Sequence, residues 1–125
     1  MSAGDVLVVD DSAVVRKVAR RMLEKHGCAV REAEDGEKAL EAVAATMPRL
    51  VLLDRNMPVL DGIGFLKALR ARYGTSEPLV VMCTTEAAQE KILEGLEAGA
   101  DEYVMKPFDE SILLEKLAQV GFAPA

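Results

Sequence analysis

The chain has 125 residues, a mass of 13.5 kDa, a net charge of −6 and a half share of apolar residues. That is the size of one domain with enough apolar material for a packed core. The acidic balance argues against a general nucleic-acid backbone binder, which needs a basic face. No segment has the length and apolarity of a membrane span, and Met1 to Asp5 shows neither the basic region nor the apolar stretch of a signal peptide. Two cysteines, Cys28 and Cys83, lack metal-ligand spacing and read as reduced structural thiols. The expectation is a cytoplasmic protein with one domain over residues 1–125.

Strand and helix patterns alternate five times. VLVVDD (Val6 to Asp11) is a short Val-rich run ending in two carboxylates. Ser12 is a natural N-cap for a helix carrying Val14, Val15, Val18, Met22 and Leu23, which Gly27 stops. Ala29 to Ala33 is a weak strand. Asp35 caps a helix with Ala39, Leu40 and Val43 that ends before Pro48. Leu50 to Asp54 is a third strand, and a loop with Pro58 and Gly62 leads to a helix marked by Phe65, Leu66 and Leu69. Leu79 to Cys83 is the fourth strand, and Ile92, Leu93 and Leu96 mark a helix that ends at Gly99. Tyr103 to Met105 is the fifth strand. Asp109 caps a last helix with Ile112, Leu113, Leu117 and Val120. Strict alternation predicts an α/β fold, a doubly wound (βα)5 five-stranded parallel sheet in flavodoxin-like order 2-1-3-4-5.

In such a sheet, polar residues at the carboxyl ends of the strands meet in one crevice beside strands one and three. The sequence therefore gathers Asp10, Asp11, Asp54, Thr84 and Lys106 around one point. Three carboxylates so close need a cation among them. Few oxygen ligands, with water and phosphate completing the shell, suit Mg²⁺. Lys106, held by Pro107, is placed to offset the acids and reach a phosphoryl oxygen. Thr84 or Thr85 can donate to such an oxygen, with Thr85 the better candidate for a helix cap. Tyr103 reads either as a mobile ring or as a plain edge residue. His26, the lone histidine, reads as a solvated helix-end residue, and no Ser-His-Asp, Cys-His or P-loop arrangement is present.

The segments VVDDS, LLDRNMPVLDG, MCTTEA and YVMKPF, in this order and spacing, resemble the receiver domain of two-component response regulators over essentially the whole chain. Within that family the resemblance is strongest to single-domain chemotaxis regulators of the CheY kind. The resemblance implies Asp54 as the phosphorylated aspartate, Asp11 and Asp54 as direct Mg²⁺ ligands with the backbone carbonyl of Asn56, and Asp10 as a ligand through water. It implies Lys106 and Thr84 as the groups assisting phosphoryl transfer, Thr84 and Tyr103 as the switch pair, and a cis bond before Pro107.

Further implications concern partners. A sensor histidine kinase or phosphotransfer protein would supply the phosphoryl group, docking near the first helix with Val14, Val15 and Val18 as candidates. A target protein would read the face built by the last two helices and the fifth strand. The chain would act as a monomeric phospho-acceptor rather than an enzyme, without DNA or membrane partners. The alternative is a phosphate sink or relay intermediate with no state-dependent target. Two departures from the family pattern stand out. Ala88 and Gln89 occupy positions where chemotaxis regulators carry a lysine pair, although Lys91 lies near and Lys116 matches. Arg55 replaces a tryptophan beside Asp54, a change expected to alter the loop surface.

Overall fold

The computed structural model describes residues 5–85 and 87–122. Residues 1–4 of the amino-terminal segment, and Glu86 of the MCTTEA motif, therefore lie outside the described residues. The elements are β1 (Asp5–Val9), α1 (Ala13–Glu24), β2 (Ala29–Ala33), α2 (Gly36–Ala45), β3 (Leu50–Asp54), α3 (Gly62–Tyr73), β4 (Leu79–Thr84), α4 (Gln89–Ala98), β5 (Glu102–Met105) and α5 (Glu110–Gln119). All strand pairs are parallel and the order is β2-β1-β3-β4-β5, as the alternation predicts. The chain thus has the flavodoxin-like (βα)5 fold.

Period-2 alternation divides the strand side chains between two helical layers. Val6, Val8, Leu50, Leu52, Val81 and Val104 face one core with Leu23 of α1 and Leu113 and Leu117 of α5. Leu7, Val9, Val51, Leu53, Val80 and Met82 face the other, with Val43 of α2 and Phe65, Leu66 and Leu69 of α3. Because both faces are covered, every residue of β3 is buried. Ser12, Asp35 and Asp109 accept hydrogen bonds from the first turns of α1, α2 and α5, as their sequence positions suggest. Asp61 does the same for α3 through the Gly64 amide at 2.8 Å. Each such cap is worth about 1 kcal/mol. Gly27, just beyond α1, turns the chain with φ 86°. Cys28 and Cys83 are both buried and unbridged.

Three expectations need correction. Thr85 does not cap α4: its N-cap is Ala88, with no side-chain hydrogen bond, because the strand runs on through Thr84 and the helix starts only at Gln89. His26 is not simply solvated, since its Nε2 lies 3.0 Å from Glu110 beside the Lys25–Glu110 pair. Arg55 is buried rather than a feature of the loop surface, with its guanidinium turned onto α4. No helix among the described residues is long and apolar enough to cross a membrane.

Candidate functional site at the carboxyl edge of the sheet

Strand register sets the site. Val9, Leu53 and Met82 lie abreast in β1, β3 and β4, so the residues one step on, Asp10, Asp54 and Cys83, form the next row. Thr84 follows, opposite Met105 of β5. Backbone bonds lock these ends: the Asp10 amide donates to Ala33 O, the Arg55 amide to Cys83 O and the Lys106 amide to Thr84 O at 2.8 Å. Lys106 is thereby aimed back over the sheet edge, and the Lys106–Pro107 bond is cis, as the resemblance implies. The Glu77–Pro78 bond is also cis, with no local sequence signal to mark it.

The ammonium of Lys106 donates to Asp10 Oδ2 at 2.7 Å and to Asp54 Oδ1 at 2.9 Å. Asp10 is buried, and its other oxygen accepts from the Ser12 amide at 2.9 Å. Asp11 is exposed. One oxygen from each of Asp10, Asp11 and Asp54 can be chosen so that all lie within 4.8 Å of one another. Burial pushes the Asp54 carboxyl above the ordinary range; the Lys106 bond pulls it back, and the Asp10 and Asp11 charges push it up again. Burial disfavours the Lys106 ammonium, but the hydrogen bonds and charges of Asp10 and Asp54 outweigh this and raise its pKa. A desolvated carboxylate in a cluster of like charge, only partly offset by one ammonium, is a setting that a hard divalent cation relieves. The donor set, carboxylate oxygens alone, fits that class of ion.

Thr84 is buried at the end of β4. Asn56 is exposed in the loop after β3 and borders a polar recess with Arg55, Asp61, Lys67, Lys91 and Glu94. Tyr103 is half-buried opposite Met82, with Lys116 Nζ 4.9 Å from its ring centroid. It borders a recess with Gln89, Ile92, Leu93 and Leu96 of α4. On the other side of Lys106, an apolar groove of about 370 Å³ runs between α1 and Phe108, lined by Val14, Val15, Val18, Thr85 and Pro107. Val14 is 71% exposed there.

Several supporting residues escape sequence reasoning. Arg16 donates to the Asp10 carbonyl at 2.7 Å and to Glu32 of β2 at 2.9 Å, fixing the acid pair from α1. Gly62 admits no side chain, because a Cβ there would stand 2.4 Å from the Asp54 carbonyl. Val59, in the loop between β3 and α3, has φ 70°, an outlier for a β-branched residue. The Gly of the LDG run is visible as a turn residue, but nothing local marks Arg16 as a partner of residue 10.

Comparison with known proteins agrees with this geometry. The family model described as "Response regulator receiver domain" matches residues 6–118. The "Response regulator MprA" of Mycolicibacterium vanbaalenii is 40% identical over 112 residues, covering 90% of this chain and 48% of that protein. The chain thus spans about half the length of the curated relatives it matches. Among solved structures, chemotaxis protein CheY4 of Vibrio cholerae superposes with a TM-score of 0.88 at 36% identity, over 94% of this chain and 98% of that one. The receiver domain of Francisella response regulator 1452 does so at 0.86 and 30% identity, over 94% and 95%.

Proposed function

Since the chain belongs to the response regulator receiver domains of two-component systems, we propose that Asp54 is its phospho-acceptor and that Asp11, Asp54 and the Asn56 carbonyl hold Mg²⁺ directly, with Asp10 acting through water. The observation that carries this reading is the cluster of three carboxylate oxygens within 4.8 Å, bridged on one side by Lys106. Both Asp10 oxygens already accept hydrogen bonds, whereas Asp11 stands exposed, which favors Asp11 over Asp10 as the direct ligand.

The chemistry follows from the residues. An Asp54 oxygen attacks the phosphorus of a phosphohistidine on a partner; the P–N bond breaks as the P–O bond forms, and the imidazole leaves. The product is an acyl phosphate that water later hydrolyses. Mg²⁺, when bound, offsets charge on the acceptor and the transferred phosphoryl oxygens. Lys106 gives up its bond to Asp54 and takes a phosphoryl oxygen, and the Thr84 hydroxyl donates to another. The domain assists its own phosphorylation and dephosphorylation and acts on no separate substrate.

The groove between α1 and Phe108 opens beside Lys106, which suits docking of a histidine kinase or phosphotransfer protein that must bring its phosphohistidine to Asp54. Output runs through the face of α4, β5 and α5, where Leu93 and Leu96 are exposed beside Tyr103 and Ile112 is exposed on α5. The domain works in the cytoplasm, and its readout is a protein target in chemotaxis or related signalling. The test is phosphorylation by acetyl phosphate with Mg²⁺. One phosphoryl group should map to Asp54 and disappear in Asp54→Asn. Mapping to another residue would overturn the assignment. A pull-down with beryllofluoride that yields no partner preferring the activated form would leave the domain a phosphate sink.

A further inference from the structure

Helix α4 is the least anchored helix around the sheet. Gly95 is its one buried residue among those described, and its first turn lacks a side-chain cap. Leu93 and Leu96 point to solvent. By contrast, α3 buries Gly62, Phe65, Leu66 and Leu69. Burial of apolar side chains therefore does little to fix α4.

Arg55 supplies an attachment. It follows Asp54 directly, so one peptide bond separates it from the proposed acceptor. Its backbone is held at both ends, the amide by Cys83 O and the carbonyl by the Gly62 amide at 2.9 Å. Its side chain, 7% exposed, crosses to α4. There one guanidinium nitrogen donates to the Lys91 carbonyl at 2.8 Å, and another donates to the Glu94 carboxylate. Gly95 gives the helix room to approach: a Cβ on it would meet Met82 Sδ at 3.1 Å and the guanidinium at 3.9 Å. A guanidinium keeps its charge and presents its donors in a rigid fork. Two diverging acceptors on one helical turn thus fix α4 in rotation as well as distance.

We infer that Arg55 is a positioning residue: the clamp from Arg55 to Glu94 and the Lys91 carbonyl carries the occupancy of Asp54 to α4, alongside any route through Thr84 and Tyr103. This rests on Asp54 being the acceptor. A ligand on its carboxylate that shifts the end of β3 moves the Arg55 backbone with it. The buried fork then passes the shift to a helix that little else restrains.

The test is amide hydrogen exchange on the full chain with Mg²⁺ alone and with Mg²⁺ plus beryllofluoride, in wild type, Arg55→Met and Glu94→Gln. In wild type, beryllofluoride should change exchange both at residues 102–106 and at residues 89–98. In either variant, the ratio of exchange with and without beryllofluoride at 89–98 should move toward one by roughly 2- to 30-fold, the range for residues that couple two sites. The response at 102–106 should persist. A clamp with only a structural role would speed exchange in α4 equally in both conditions and leave that ratio unchanged, which would overturn the inference. So would a wild type in which 102–106 responds and 89–98 does not. Absence of any response in wild type would instead bring down the acceptor reading itself. Glu94 is half exposed, so Glu94→Gln keeps the test decisive if Arg55→Met fails to fold.

Discussion

Replacing Lys106 with methionine keeps the aliphatic stem and deletes the ammonium that bridges Asp10 and Asp54. The side chains of Lys106, Asp10 and Asp54 are 18%, 4% and 8% exposed, so solvent screens this cluster weakly. A pair of unit charges about 4 Å apart interacts by roughly 4 kcal/mol at an effective dielectric constant near 20. The two contacts at 2.7 and 2.9 Å would together exceed that. Removing the ammonium also removes its own desolvation penalty, which returns a large part. Deleting one partner from a buried ion pair costs about 3–5 kcal/mol, and the residual exposure of Lys106 places this case near 3 kcal/mol.

The assay is urea unfolding of Lys106→Met and wild type in chelator and in excess Mg²⁺. With a slope of about 2 kcal/mol per molar urea, the midpoint in chelator should fall by about 1.5 M. At a fixed Mg²⁺ concentration, 100 times the wild-type dissociation constant, wild type should gain about 2.7 kcal/mol and the variant more. The Mg²⁺ affinity should rise in the variant, because no ammonium competes for Asp10 and Asp54. A midpoint unchanged in chelator, or an Mg²⁺ increment identical in the two proteins, would refute the view that Lys106 neutralizes a repulsive carboxylate cluster.

Further predictions can be checked on the same protein. The Asp54 pKa is raised in the fold, chiefly by burial, so Asp54 contributes stability below its ordinary value of 3.8 that is lost as pH rises through its folded value. In chelator, Asp54→Asn should therefore gain stability relative to wild type across that rise, by parallel denaturation at several pH values, and a flat difference would contradict the burial argument. Asp11→Ala should weaken Mg²⁺ binding, read by titration calorimetry, more than Asp10→Asn does, because both Asp10 oxygens already accept hydrogen bonds; the reverse order would remove Asp11 as the direct ligand. Val59→Gly should raise the unfolding free energy by about 1 kcal/mol, since it relieves a β-branched residue at φ 70° in an exposed loop; a loss of stability would show that Val59 makes a compensating contact.

The sequence alone was enough for the layered sheet and the acid corner. Apolar runs of four to six residues can be buried on both faces only as parallel strands under helices, and strict alternation leaves one economical winding. The positions of Asp10, Asp54, Thr84 and Lys106 then follow from their places at strand ends, which backbone register fixes without regard to the rest of the chain. Side chains that act across elements were not legible in this way. Arg55 looked like a loop substitution because its meaning depends on Lys91 and Glu94, thirty-six and thirty-nine residues away. The same holds for Arg16 on the Asp10 carbonyl and His26 on Glu110. The exposure of Leu93, Leu96 and Ile112 was hidden as well, because helical periodicity names an apolar stripe but not how far the neighboring layer extends over it. Only the packed structure decides which of these groups find a partner, since that depends on distances between elements that no local pattern encodes.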